Sequence, residues 1–198
     1  MKAKIKSLKV DLTQVNFKDP KKVNDGTNGK LLEQAMIKQG FPIDTTGTVD
    51  LPGIEVKTRK ATTSSYHTVG TMTYDDILKT PWDQTPFKQK LQTQYRVTIK
   101  ENIFDPSNPV PTDIVVDFSH PVIQEEFKKA YEDCRNQLIN QGQIIRGQTI
   151  KGGQYGVLEH KPGSNGTGKS YALRIPDSGM KKTISTANML RNKLFDFE

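Results

Sequence analysis

Segments that predict helices alternate with segments that predict strands along the chain, and Gly or Pro stands between them. The helical pattern covers residues 30–39, 86–92, 122–140 and 185–195. The strand pattern covers residues 41–60, as two short strands around a Pro-Gly turn, and residues 66–72, 94–100, 113–118, 155–160 and 171–175, after a basic strand-like start. Without an internal repeat or a long linker, this order predicts one mixed α/β domain over residues 1–198, a sheet flanked by helices.

The chain has few cysteine and histidine side chains, which restricts the kinds of metal site that it can form. It has one cysteine, Cys134, and three histidines, which excludes an internal disulfide and every cysteine-based zinc site. Any metal ion must therefore be held mainly by oxygen. No apolar run reaches the roughly 20 residues of a membrane helix, and the lysine-rich start does not resemble a signal peptide. We expect a soluble, cytoplasmic protein without a membrane partner.

Charge is distributed unevenly along the chain, whose formal net charge is +7. Residues 1–22 carry seven Lys against two acids, and residues 146–198 carry nine Lys and Arg against four acids. The remainder is slightly acidic. A basic N-terminal segment (1–24) and a basic C-terminal part (143–198) predict that a polyanion such as DNA is held between them. A solvated surface that keeps the protein soluble is the alternative interpretation.

A compact group of charged residues predicts a chemical site. Asp50 precedes a Pro-Gly turn, and Glu55 and Lys57 follow it on one face of the next strand. Two carboxylates, with the backbone carbonyl of Val56 as a further ligand, suit Mg²⁺, which prefers oxygen. The cation would polarise a phosphodiester and lower the pKa of a bound water, while the lysine orients or deprotonates that water.

The Glu-x-Lys pattern alone is not specific, since it occurs three times. The copy at Glu126 lies in a predicted helix, where residues two apart diverge, and the copy at Glu159 has no acid shortly upstream. Only the copy at Glu55 combines an upstream acid, a turn and strand periodicity. Glu33, beside the apolar stripe of the preceding helix, can reach the same place. A surface strand with a salt bridge remains the alternative.

A second motif, residues 163–170, matches the phosphate-binding P-loop string letter for letter. That loop requires a helix directly after it, whereas residues 171–175 predict a strand. We therefore interpret the segment as a basic hairpin loop, with Lys169 able to contact DNA, and keep a P-loop nucleotide-hydrolysing protein as a third functional hypothesis.

Further basic and aromatic residues are candidates for DNA contacts. A patch beside the acidic site and a polar strand end could contact phosphates and base edges, or could be ordinary solvated surface. Trp82, Tyr95 and Cys134 are interpreted as core residues. The DNA-binding candidates are Arg59, Lys60, Tyr66, His67, His160 and Lys161.

The order of five segments resembles the family of the DNA mismatch repair endonuclease MutH and its related type II restriction endonucleases, within the PD-(D/E)XK nuclease group. The likeness runs from about Gly26 to Phe195. Its segments are Gly26-x2-Gly29-x3-Glu33; Asp50 with Gly53-Ile-Glu55-Val-Lys57-Thr58; Pro81-Trp82-Asp83 with Lys88-Gln-Lys90-Leu91 and residues 95–99; Gly152-Gly-Gln-Tyr155 to Lys161-Pro162; and Met180-Lys181-Lys182 with Ser185-Thr-Ala187 and Leu190.

This resemblance implies a restriction-endonuclease-like single domain with a mixed central sheet. It implies a sequence-specific endodeoxyribonuclease that uses Mg²⁺, or Mn²⁺ in its place, to cut or nick double-stranded DNA and leave a 5′-phosphate. Lys90 would be a further active-site lysine, and Lys181 and Lys182 would contact DNA. A mismatch-repair activator protein is an implied partner, and the enzyme would act as a monomer or transient dimer on DNA. A noncatalytic DNA-binding module with a vestigial nuclease fold is the alternative.

Overall fold

The computed structural model describes residues 9–61, 66–142, 149–152, 156–162, 169–176 and 178–186. The chain forms two compact units, each with its own sheet. Unit 1 contains Met1–Ser64 and Thr93–Val116, and unit 2 contains Ser65–Gln92 and Asp117–Glu198. Both units combine strands with helices, which confirms the mixed α/β class. The finer restriction-endonuclease-like arrangement stays a prediction.

Unit 1 is built on a three-stranded sheet. Its elements are α1 (Asp25–Lys38), β1 (Ile54–Lys60), β3 (Thr93–Lys100) and β4 (Val110–Asp117), with a 3-10 turn at Leu12–Gln14. The strand order is β1-β3-β4, so β1 has a free edge among the described residues. β1 and β3 run parallel, with Ile54 opposite Thr93 and Lys60 opposite Ile99.

Helix α1 covers one face of this sheet. Asn24 caps the helix, because its side-chain oxygen accepts the backbone N–H of Thr27 at 3.1 Å. Leu32 and Met36, one turn apart, are fully buried and join the apolar residues of β1 and β3 in one core. A Cβ at Gly29 would lie 3.4 Å from the Thr58 hydroxyl, so α1 faces β1 at about van der Waals distance here.

Unit 2 contains a four-stranded sheet packed with helices. Its helices are α2 (Tyr74–Lys79), α3 (Pro86–Lys90), α4 (Pro121–Gln141) and α5, residues 178–186; its strands are β2 (Tyr66–Thr73), β5 (Thr149–Gly152), β6 (Gly156–Pro162) and β7 (Lys169–Pro176). The order is β2-β7-β6-β5, and each adjacent pair is antiparallel. The longest helix, α4, ends at Gly142 in the left-handed conformation at φ 66°.

The core of unit 2 is aromatic. Trp82 and Tyr131 pack with ring centroids 5.6 Å apart, and Tyr131 meets Phe87 edge to face at 6.3 Å. The Tyr131 hydroxyl donates to the carbonyls of Ile77 and Thr80. Cys134, on α4, is fully buried beside this core. Trp82 and Cys134 are therefore core residues, as the sequence predicts, and so is Tyr95 in unit 1.

Several predicted elements differ from those observed. In place of one central sheet, the described strands form two. Residues 41–50 contain bends and no strand. The described residues 9–24 contain a 3-10 turn and no strand, and the first eight residues of the predicted strand-like start lie outside the described residues. Residues 180–182 lie in α5, which begins well before the helix predicted at 185–195. Helix α2 and strand β5 are additional elements. In the part of the chain that the structure describes, no helix is both long and apolar enough to cross a membrane.

Candidate active site

A tight turn brings Asp50 beside the free edge of β1. Leu51, Pro52, Gly53 and Ile54 form this turn, with the Ile54 N–H donating to the Leu51 carbonyl at 3.0 Å. Gly53 adopts φ 74°, which glycine permits after proline in a type II turn. The reversal places Asp50 alongside Val56, whose backbone N–H donates to Asp50 Oδ2 at 2.7 Å.

The same hydrogen bond locates a backbone oxygen. The N–H and C=O of one residue in an extended strand point to the same side. Since the N–H of Val56 points to Asp50, the carbonyl of Val56 also lies on the free edge of β1, next to that carboxylate. Two of the predicted metal ligands are therefore adjacent.

Glu55 and Lys57 lie on the face of β1 opposite to Ile54 and Val56, because side chains alternate along a strand. The Lys57 ammonium is 2.5 Å from Glu55 Oε1. Glu55 is almost completely buried at 2% exposure, whereas the Lys57 side chain is 29% exposed. The pair thus combines a fixed carboxylate with a lysine that reaches solvent.

Glu33 approaches from α1 and completes the group. Partial burial raises the pKa of Glu33 above its usual range, and the negative charges of Asp50 and Glu55 act in the same direction. The ammonium of Lys57 opposes them. Glu33 therefore lies close enough to Asp50, Glu55 and Lys57 for their charges to act on it, and all four residues belong to unit 1.

The donor set fits a hard divalent cation. Asp50, Glu55 and the Val56 carbonyl supply only oxygen, and Mg²⁺ is usually held by one or two carboxylates with several waters. Among the described residues, no three His, Cys, Asp or Glu side chains form a metal-holding group. A site of two carboxylates and one carbonyl does not need such a group, and Glu33 contributes charge nearby.

The neighbouring strand supplies two residues that the sequence interpretation missed. Gln94 stands opposite Glu55 in the parallel register, and Arg96 stands opposite Lys57. Both are buried, at 0% and 5% exposure, and Arg96 Nε donates to Gln94 Oε1 at 2.8 Å. The alternation of Gln94 and Arg96 with apolar residues indicates that both lie on one face of the strand. Only the pairing of β1 with β3 shows that this face is the one that carries Glu55 and Lys57.

Two of the predicted DNA-contacting residues follow the site on β1. Arg59 is partly buried, and its Nε donates to the Lys60 carbonyl at 3.3 Å. Lys60 Nζ donates to the Val23 carbonyl at 2.7 Å and so ties β1 to the chain just before α1. In the basic N-terminal segment, Lys21 lies 2.6 Å from Glu101. These contacts give Lys60 and Lys21 structural roles.

The remaining predicted site residues belong to unit 2. Lys90 ends α3, with its side-chain stem beside Gly70 of β2, and its role in the site stays a prediction. His67 is partly buried on β2, and Lys181 and Lys182 are exposed on α5. The backbones of Tyr66, His160, Lys161 and Lys169 lie in strands, but their side chains are outside the described residues.

The P-loop interpretation is wrong for this chain. Residues 169–176 form β7, which pairs antiparallel with β6 from Pro162 opposite Lys169. A strand therefore follows the glycine-rich string where nucleotide binding needs the N-terminus of a helix. The string itself, residues 163–168, lies outside the described residues and connects the two strands of a hairpin, as predicted.

Comparison of the chain with protein-family models and with curated proteins gives no match.

Proposed function

We propose that the protein is a Mg²⁺-dependent endodeoxyribonuclease that cuts or nicks double-stranded DNA at a short sequence. The observation that carries this proposal is the grouping of Glu33, Asp50, Glu55 and Lys57 around β1. Carboxylates beside a partly exposed lysine are the groups that metal-assisted phosphodiester hydrolysis needs. The resemblance to MutH-like and related restriction endonucleases includes the same residues among its five segments.

Asp50, Glu55 and the Val56 carbonyl would hold the cation, and the cation would polarise the scissile phosphate and lower the pKa of a bound water. Asp50 is fixed for this role by the Val56 N–H, and Glu55 is fixed by burial. The Lys57 ammonium, which reaches solvent, orients the attacking water and offsets negative charge that develops on the phosphate. Glu33 supports the site from α1.

Double-stranded DNA is the proposed substrate because the chain has a formal net charge of +7 with its excess at the two ends. A polyanion is attracted to such ends even though the acidic site itself repels phosphate. The exposed Lys181 and Lys182 on α5 are proposed contacts to the DNA backbone. Sequence recognition, the implied activator protein and assembly on DNA follow from the resemblance alone.

The test is plasmid cleavage by purified wild type, Lys57→Ala and Asp50→Asn, each with Mg²⁺ and with EDTA. Asn at position 50 keeps an oxygen for the Val56 N–H, so this variant removes charge with little disturbance of the turn. Lys100→Ala is the matched control, because Lys100 is exposed at the end of β3 and is not assigned to the site.

We expect Mg²⁺-dependent nicks or breaks with wild type and Lys100→Ala, none with the two site variants, and nearly unchanged DNA binding by all four. Sequencing the cut ends reports the site, the strand and the 5′-phosphate together. Cleavage at the wild-type rate by Lys57→Ala would contradict the proposal. DNA binding without cleavage by wild type would instead favour a noncatalytic module.

A further inference from the structure

A buried arginine lies behind the proposed active site. Arg96 is 5% exposed and donates from Nε to Gln94 Oε1 at 2.8 Å; Gln94 is itself fully buried. Because Arg96 and Gln94 are two residues apart on β3, both side chains lie on the same face of the strand.

That face is the one that carries Glu55 and Lys57. In the parallel register, Gln94 is opposite Glu55 and Arg96 is opposite Lys57. Directly paired residues on neighbouring strands are about 5 Å apart and point to the same side of the sheet. Arg96 is therefore the diagonal neighbour of Glu55, within reach of a side chain as long as arginine.

The charges of these residues interact. Burial lowers the pKa of Arg96 to about 9, the positive charge of Arg59 acts in the same direction, and Glu55 acts against both. The guanidinium therefore remains charged at neutral pH, and Glu55 is the acid that favours its charge. Glu55 thus has two cationic neighbours: Lys57 on its own strand and Arg96 on the next.

The free-energy cost of this arrangement indicates that it serves more than folding. Removing a guanidinium from water costs several kcal/mol, and an apolar residue of similar size often stabilises a fold equally well or better. The other face of the same strands is filled by apolar residues. A role in the proposed active site therefore explains a buried arginine beside a proposed catalytic carboxylate better than a contribution to folding stability does.

We propose that Arg96, anchored on Gln94, is a positioning residue that holds the Glu55 carboxylate from the neighbouring strand, so that Glu55 keeps a cationic partner when Lys57 turns to the attacking water. This inference rests on the proposed function. Arg96 itself is too buried to contact DNA, so it acts through Glu55 and not on the phosphate.

The test compares Arg96→Met, Arg96→Lys and the control Lys100→Met with wild type. For each protein we would measure the rate of plasmid cleavage at saturating Mg²⁺, the Mg²⁺ concentration that gives half of that rate, and Mg²⁺ binding by calorimetry. Thermal unfolding monitors the folded state.

In Arg96→Met we expect a cleavage rate about tenfold lower, the lower end of the usual range for a residue that positions a metal ligand. Mg²⁺ binding becomes about threefold tighter, because a positive charge beside its carboxylate ligand is removed. Arg96→Lys keeps the charge but not the forked geometry, so its Mg²⁺ affinity stays at the wild-type value while its rate falls about threefold. Lys100→Met matches wild type in both.

A purely structural role for Arg96 would weaken Mg²⁺ binding together with the rate, and that result would overturn the inference. An unchanged rate in Arg96→Met would overturn it as well. If Arg96→Met does not fold, Arg96→Lys decides, since a wild-type rate there refutes the positioning role. Absence of cleavage by wild type would instead refute the proposed function, which separates the two failures.

Discussion

Both faces of the β1–β3 strand pair hold buried residues, but the buried residues of the two faces differ in chemistry. One face presents Val56, Val97 and Ile99 to the apolar core under α1. The other presents Glu55, Gln94 and Arg96, which are as inaccessible to solvent as the core residues. Removal of apolar surface from water stabilises the fold, whereas burial of polar and charged side chains contributes little net stability.

This difference separates two tasks within one small sheet. The apolar face determines where the strands lie, and the polar face uses that fixed frame to hold charged groups in place. Substitutions on the two faces should therefore have different effects: those on the apolar face lower stability, and those on the polar face lower the proposed cleavage.

The largest effect is expected at Glu55. Glu55→Gln keeps the size of the side chain but removes the charge that would bind the cation, so cleavage should fall by about a hundredfold or more. DNA binding in EDTA should stay equal or become tighter, because one negative charge is removed. A quantitative plasmid assay and a fluorescence binding titration check both. Cleavage near the wild-type rate would show that the charge of Glu55 on the polar face is not required for cleavage.

Ile99→Ala tests the apolar face. Ile99 is 1% exposed, and truncation of such a side chain leaves a cavity that lowers the free energy of unfolding by about 2–4 kcal/mol. Urea unfolding followed by circular dichroism measures the loss. Thr98→Ala, the adjacent and partly buried position on the opposite face, should change stability by less than about 1 kcal/mol. Equal losses at the two positions would contradict the division between faces.

Tyr95→Phe sharpens the comparison, since Tyr95 has a polar group at the end of a core side chain. Its hydroxyl donates to Asp113 Oδ2 at 2.9 Å. Loss of this hydrogen bond should lower the free energy of unfolding by about 1 kcal/mol in the same urea experiment. A loss as large as that for Ile99→Ala would mean that the hydroxyl, and not the ring, dominates at this position.

The smallest effect is expected at Glu33, on helix α1. Burial and Asp50 raise its folded pKa above 4.5, the ordinary value, so the folded protein binds this proton more tightly than the unfolded chain. Stability is then lost as pH rises through the folded pKa. Glu33→Gln removes this loss and should raise the melting temperature slightly at neutral pH.

The difference in melting temperature between Glu33→Gln and wild type should shrink as the pH falls below the pKa of Glu in the unfolded chain, because position 33 is then uncharged in both proteins. Differential scanning calorimetry over a pH series measures it. Cleavage by this variant should decrease although its stability increases. A variant that is less stable at neutral pH would show that the Glu33 charge stabilises the fold.

Local sequence signals predicted the local features of the structure. Pro52-Gly53 predicts the turn beside Asp50, and Thr85 before Pro86 predicts the start of α3, where the Thr85 hydroxyl accepts the Lys88 N–H. Gly142 predicts the end of α4. In each case the signal is a constraint on one or two backbone angles, which the residue itself imposes.

The features that the sequence did not predict depend on contacts between distant segments. β2 and β7 pair across about a hundred residues, so their separation into a second sheet has no local signal. Helix α2, with six residues, is too short for a periodic pattern. At the site, Asp50, Glu55 and Lys57 were predicted from one short segment, whereas Gln94 and Arg96 required the register of β3 against β1.

The position of Cys134 gives the molecule an internal chemical reporter. Burial raises the pKa of this thiol to about 12, so the folded protein holds it protonated and shielded from alkylating reagents. As the only cysteine in the chain, it would be labelled only when α4 separates from its neighbours. The labelling rate therefore measures the opening of unit 2 separately from any event around β1.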